Sequence, residues 1–211
     1  MVSKVLYRPF EETDFDTIAM ILQAQWHTGD NQEVYNFLEA CDDLAYCLSG
    51  STFSQVALVD DVPRGIVLAR AGERDPAWVR RWARASDDFM TQMRSVNKKA
   101  LDRYLEFIAA TVKITDRLIK EGGVDPASEI TLLAVDETAR GLGIGSVLLD
   151  AARSELSAQG CSQAYLSTDT TCDWKFYEAR GMKRVARYSA SWEERRLLPR
   201  EMYLYRMTIS D

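Results

Sequence analysis

Residues 129–150 read EITLLAVDETARGLGIGSVLLD, and the fold follows from how this stretch is parsed. Ile130, Leu132, Leu133, Ala134 and Val135 form a short, nearly continuous apolar run, the pattern of a strand buried on both faces. Asp136–Ala139 is polar and turn-like. Arg140-Gly141-Leu142-Gly143-Ile144-Gly145-Ser146 follows, and Val147, Leu148, Leu149, Ala151 and Ala152 then begin a helical face. A glycine-rich turn between a strand and a helix start makes an anion site. The first N–H groups of a helix have no intrahelical partner, and the helix dipole favours negative charge there. Glycine lets backbone approach a phosphate with no Cβ in the way.

Spacing separates the phosphate loops that could read this way. No Lys-Ser or Lys-Thr follows the glycines, which removes the nucleoside-triphosphate loop. A dinucleotide fingerprint G-x-G-x-x-G fits Gly141 and Gly143, but Ser146 holds the place of its third glycine. The remaining pattern, [QR]-x-x-G-x-[GA], is met by Arg140, Gly143 and Gly145. It resembles the acetyl-CoA pyrophosphate loop of the GNAT superfamily of N-acetyltransferases. A turn that only lets a helix pack closely on a strand is the plainer alternative. A second segment, Phe176-Tyr177-Glu178-x-x-Gly181-Met182, resembles the other GNAT signature, F-Y-E-x-x-G-F, with methionine in place of the final phenylalanine. Asp173 stands where relatives often carry asparagine and is read as the cap of a short helix ended by Gly181.

This resemblance implies an α/β fold of GNAT type: a mixed, mostly antiparallel sheet flanked by helices, in one domain over residues 1–211. It also implies acetyl-CoA as co-substrate, with no metal, and transfer of acetyl to a primary amine by direct attack in a ternary complex. The acceptor is a small-molecule or peptide amine. Leu133, Ala134 and Val135 are expected to line the pantetheine arm and offer an oxyanion donor. Residues Arg140, Gly141, Leu142, Gly143, Ile144, Gly145 and Ser146 are expected to hold the pyrophosphate, with Asp173, Phe176 and Tyr177 alongside. Tyr177 matches the general acid of many relatives; packing on a helix face is its alternative. Glu129, six residues before Val135, matches the general base of histone-type relatives; a solvated carboxylate, a water-mediated base and no base at all remain open. Trp26 and His27 fall in the loop that borders the acceptor site in this family. A non-catalytic acyl-CoA-binding module on the same fold is the rival reading, and a nucleotide-binding α/β protein a more distant one.

The flanking chain supplies the remaining elements. Val2–Arg8 alternates as a strand closed by Pro9. Thr13 is read as the N-cap of a helix carrying Phe15, Ile18, Leu22 and Trp26. A second helix carries Val34, Phe37, Leu38, Cys41, Leu44, Ala45 and Leu48. Phe53–Val59 and Gly65–Ala71 read as a hairpin about Asp60-Asp61-Val62-Pro63. Glu73–Asp125 is a helical insertion between the third and fourth strands. Asp75-Pro76 starts it, and the series Trp78-Trp82-Ala85-Phe89-Met93-Val96 and Leu101-Leu105-Ile108-Val112-Thr115-Ile119 follow. A continuous helix of that length would extend roughly 65–70 Å, so a break is expected near Ser86-Asp87 or Ser95–Asn97. The helices are expected to pack on each other and over the sheet, walling the acceptor cleft; a homodimer seam is the alternative. Ala164–Leu166, Met182–Tyr188 and Met202–Ile209 read as the last strands, the final two paired antiparallel.

The 211 residues carry 26 Lys and Arg against 32 Asp and Glu, a net charge of −6 that argues against nucleic acid and favours cationic small partners. Cys41, Cys47, Cys161 and Cys172 form no C-x-x-C pair, and His27 is the sole imidazole, so no structural zinc is expected. With no apolar run near the length of a membrane span and no leader-like start, a cytoplasmic protein is expected.

Overall fold

The computed structural model describes residues 4–30 and 32–209; the first residues of the expected Val2–Arg8 strand lie outside them. The elements are β1 (Val5–Arg8), α1 (Phe15–Trp26), α2 (Glu33–Gly50), β2 (Phe53–Val59), β3 (Val62–Arg70), α3 (Pro76–Gly122), β4 (Glu129–Val135), α4 (Ile144–Ala158), β5 (Gln163–Asp169), α5 (Lys175–Glu178), β6 (Lys183–Ser189) and β7 (Glu201–Thr208). The strands form one sheet in the order β1-β2-β3-β4-β5-β7-β6. Only β4 and β5 run parallel; the other pairs are antiparallel. This is the mixed, mostly antiparallel sheet expected, with the helical insertion between the third and fourth strands.

Alternation along the strands feeds two cores. Val56, Leu58, Ile66, Leu68, Leu132 and Ala134 face α1 and α2, whereas Ala57, Val67, Ala69 and Ile130 face α4. The hairpin turns on Asp60 and Asp61 alone, both at positive φ (51° and 64°), and β3 starts at Val62. That is the two-residue turn whose twist suits antiparallel strands. Thr13 does not cap α1. A 3-10 turn at Glu12–Asp14 precedes the helix, and the Asp14 carboxylate accepts from the Glu11 N–H and from both terminal nitrogens of Arg8. Asp14 thus holds the N-cap position of α1 with its carboxylate committed to Arg8 and the Glu11 N–H, and no side chain caps the helix.

The expectation for β4 needs correcting too. Ile130, Leu132 and Ala134 are buried, but Thr131, Leu133 and Val135 are only half-buried. Thr131 is an extra residue in the ladder, since Leu68 pairs with Leu132 and Ala69 with Ile130. Such a bulge re-aims the side chains around it. The half-covered face lies where β4 loses its neighbour on one side.

The insertion is one helix, α3, broken at Asn97, where φ is −152° and ψ 87°. The Asn97 side chain accepts from the Ala100 N–H (3.1 Å), capping the second arm, and donates to Asp30 (2.8 Å) in the α1–α2 loop. The arms embrace α2 instead of folding on each other. Residues 76–96 send Trp78, Trp82, Ala85 and Phe89 into the α1–α2 core, and Met93, Leu101 and Tyr104 close on Tyr35 and Leu38 of α2. Residues 98–122 lie on the far half of the sheet through Ile114 and Leu118, against Tyr165, Met202 and Leu204. Their buried face is Leu101-Tyr104-Ile114-Leu118, while Leu105 and Val112 of the expected series are exposed. A capped break restarts the helix phase, and a one-residue change of face is a rotation of about 100°. Gly122 lets the helix end settle on the strands, since a Cβ there would come within 2.9 Å of Val185.

Candidate active site

β4 and β5 part company soon after they meet. β4 pairs with β3 along its length, from Arg70–Glu129 to Gly65–Val135, but with β5 only at Glu129–Tyr165. Beyond that rung the edge of β4 through Leu133, Ala134 and Val135 carries no strand, while β5 continues on β7 through Asp169–Met202. The result is a wedge-shaped opening with a backbone edge along one wall. An extended chain bearing amides could pair with that edge as a strand would.

The edge runs directly into the glycine loop. The Asp136 carboxylate accepts from the Thr138 N–H and hydroxyl and pairs with Arg64 at 3.0 Å. Burial raises its pKa, but these donors outweigh burial and hold it below the ordinary carboxylate value. Gly143 caps α4 at φ 75°, a left-handed conformation suited to glycine, and its carbonyl accepts from the N–H groups of Ser146 and Val147. Among the described residues, the five successive N–H groups of Gly141, Leu142, Gly143, Ile144 and Gly145 have no hydrogen-bond acceptor. They stand where α4 begins, so the loop is a concave set of donors with the positive end of a helix behind it. Arg140 is exposed and pairs with Glu137 at 3.2 Å.

The second signature comes up against this loop. Phe176 lies so close to Gly145 that an added Cβ would sit 3.2 Å from its ring. Arg180 stacks on Phe176, with 3.6 Å from guanidinium to ring centre, and donates to the Ser146 hydroxyl. Sequence reading passed over Arg180, which occupies a variable place within the Phe176–Gly181 signature. Only the fold shows that it brings a cation to the loop. Tyr177 packs between Phe176 and Tyr205. Burial, with smaller contributions from Cys172 and Asp173, pushes its phenol well above the ordinary value, so it stays protonated. Its hydroxyl has no hydrogen-bond partner among the described residues. Asp173 does not cap α5: it is exposed, Trp174 occupies the N-cap position, and only the Asp173 carbonyl engages the helix, accepting from the Phe176 N–H.

Glu129 sits at the foot of the wedge. Arg70 donates to it at 2.5 Å and lies 3.4 Å from the Tyr165 hydroxyl. The α1–α2 side of β4, reached by Gln25 at the Val135 carbonyl and Cys47 at the Thr131 carbonyl, carries a denser charged group. His27, 7% exposed, follows α1 and sits between two carboxylates of α2: Nδ1 is 2.9 Å from Glu39 and Nε2 3.1 Å from Asp43. Burial would lower its pKa, but the two carboxylates outweigh burial and raise it to about 9. His27 is therefore an imidazolium at neutral pH. Trp26, beside it, is a half-buried member of the α1–α2 core. Sequence reading passed over Glu39 and Asp43; their i, i+4 spacing puts them on one face of α2, but nothing in the sequence pointed that face at His27.

Comparison with known proteins agrees with this geometry. Residues 105–183 match the family model described as Acetyltransferase (GNAT) domain. No curated protein sequence gives a match. Among solved structures, a mosquito arylalkylamine N-acetyltransferase like 5b superposes with a TM-score of 0.61 at 16% identity, covering 97% of this chain and 100% of that one. The ribosomal-protein-S18-alanine N-acetyltransferase of Escherichia coli gives 0.54 at 12% identity, over 99% and 96% of the two chains. The Salmonella typhimurium protein yncA, solved with its cofactor acetyl-CoA, gives 0.53 at 11%, over 98% and 95%.

Proposed function

We propose, from the premise that the chain has the GNAT acetyltransferase fold and carries that domain's match over residues 105–183, that it moves an acetyl group from acetyl-CoA to a primary amine. The observation that carries this reading is the continuity of the strandless edge of β4 with five unpartnered N–H groups at the start of α4. A ligand with an amide-bearing arm and a pyrophosphate fits both at once. In this reading Leu133, Ala134 and Val135 take the arm. Residues 140–146 take the pyrophosphate through main-chain N–H groups, with Arg180 and Phe176 at its side. The bound thioester supplies an activated acyl carbon and a thiolate leaving group. Tyr177, kept protonated by burial, donates a proton to the departing sulfur. A main-chain N–H on the β4 edge faces the acyl oxygen as it gains negative charge. Glu129, the other residue nominated for catalysis, is held by Arg70 at the base of the opening.

The test is release of free thiol from acetyl-CoA by the purified protein with a panel of amines: polyamines, aminoglycosides, amino acids and peptide N-termini. Amine-dependent release, with the acetylated amine identified by mass, supports the assignment. Saturable acetyl-CoA binding with no release on any amine would favour the non-catalytic acyl-CoA-binding module instead.

A further inference from the structure

The acetyltransferase reading leaves open which group frees the amine of its proton, and the geometry on the α2 side of the wedge singles one out. The Cys47 thiol lies 3.7 Å from the carbonyl oxygen of Thr131, the bulged residue of β4, and Gly50 also abuts Thr131. At the other end, the Gln25 amide of α1 donates to the Val135 carbonyl at 2.9 Å, two residues before His27. α2 and β4 therefore run in opposite senses, one over the other. Four residues of helix rise about 6 Å, close to what two residues of strand cover. Asp43 then stands level with Leu133 and Glu39 with Val135, along the stretch of β4 that pairs with β3 but has no strand on its β5 side. Glu129 lies below that stretch, at the rung where β4 and β5 still pair.

Asp43 is also free to act. One carboxylate oxygen is held by His27; the other meets only the Cys47 thiol, at 3.9 Å, and the side chain is 32% exposed. Glu39, 21% exposed, grips the far nitrogen of His27. Tyr46 of α2, exposed, lies within electrostatic reach of both Asp43 and Glu129, and Asp30 within reach of Tyr35. Tyr35 and Asp42 belong to α2, and Tyr104 of α3 donates to Asp42. Beyond Cys47 lies the Arg70–Glu129 pair.

We propose that Asp43, fixed by His27 and through it by Glu39, takes the proton from the acceptor amine, and that Glu129 is the structural partner of Arg70. His27, buried behind the carboxylates, is a positioning residue. The acceptor arrives as an ammonium. One N–H bond breaks, its proton goes to the free oxygen of Asp43 and on to solvent, and the nitrogen lone pair is released. That pair forms the C–N bond as the thioester C–S bond breaks. Nitrogen then sheds a second proton to solvent, while sulfur takes one from Tyr177, which solvent restores. One proton is released per acetyl moved.

The experiment compares the parent with Asp43→Asn, His27→Gln and Glu129→Gln on two acceptors: the best alkylamine of the panel and its fluorinated, electron-poor analogue, uncharged at neutral pH. Asp43→Asn should lower kcat/KM about 100-fold on the alkylamine and no more than about 3-fold on the analogue, which needs no base. His27→Gln should show the same selectivity, about 10-fold on the alkylamine. Acetyl-CoA binding by each variant, measured by calorimetry, should match the parent. Equal losses on both acceptors, no loss on either, or a selective loss in Glu129→Gln instead would overturn the assignment of Asp43. A parent that does not bind acetyl-CoA would overturn the acetyltransferase reading itself, and this proposal with it.

Discussion

Tyr177 is half-buried and His27 buried, and their surroundings push the two groups toward opposite uses. Tyr177 is desolvated without a counter-charge, so it holds its proton until a better acceptor arrives. Tyr177→Phe should cut turnover by roughly 10- to 1000-fold and leave acetyl-CoA affinity nearly unchanged, since the ring still packs on Phe176 and Tyr205. Pre-steady-state thiol release alongside calorimetry separates the two effects; parental turnover would reduce Tyr177 to packing. His27 instead carries its charge between two carboxylates. Its folded pKa of about 9 stands above the unfolded 6.5, so the stabilisation it contributes is complete below 6.5 and is lost as pH rises through 9. At about 1.4 kcal/mol per pH unit, that contribution is on the order of 3 kcal/mol. The parent's melting temperature should therefore fall between neutral pH and the pKa, and His27→Gln should flatten that slope. An unchanged slope in the variant would mean that the imidazole is not charged in the fold.

At the scale of the element, α3 is where sequence reading was both right and wrong. A break was legible from length alone; of the two places expected, the helix runs on through Ser86-Asp87 and breaks at Asn97, whose side chain caps the restart. The face of the second arm was not legible. Leu105 and Val112 are as apolar as the residues actually buried, and the helix restarted at Asn97 turns Tyr104, Ile114 and Leu118 inward instead, with Ile108 half-buried. The caps expected at Thr13 and Asp173 did not form: Asp14 and Trp174 hold the N-cap positions of α1 and α5, and neither side chain caps its helix. By contrast the glycine loop and its flanks were readable, because a strand, two left-handed glycines and a helix start are local features. The His27 cluster was out of reach, since it depends on how the α1–α2 loop turns back over α2. Trp82 is 4% exposed and stacks on Phe15. Trp82→Ala should cost roughly 3–5 kcal/mol, read from urea unfolding, whereas Leu105→Asp on the exposed face should change stability by less than about 0.5 kcal/mol. If Leu105→Asp instead converts a dimer into a stable monomer by sedimentation, the exposed stripe of α3 is an interface between copies.

For the whole molecule, the wedge is a ligand site only if its two walls are bridged. Acetyl-CoA or CoA at about 100 times its dissociation constant should add about 2.7 kcal/mol of stability, visible as a rise in melting temperature; NAD and ATP should give none. Gly143→Asp should abolish the rise, since it sets a carboxylate among the donors and strains a residue at φ 75°. A larger shift with NAD than with CoA would contradict the fold-based reading of the loop. Among the described residues no helix is long and apolar enough to cross a membrane.

The single rung between β4 and β5 also makes the protein a jointed object. One half-sheet holds β1 to β4 and the other β5 to β7, and the seam between them is stitched at Glu129–Tyr165. α3 spans it as a tie-beam, one arm bolted to α2 and the other to β6 and β7. Under native-state hydrogen exchange the amides of β5 and β7 should thus open together, before those of β2 and β3. Cutting the beam at Asn97 should lower the protection of the far half alone.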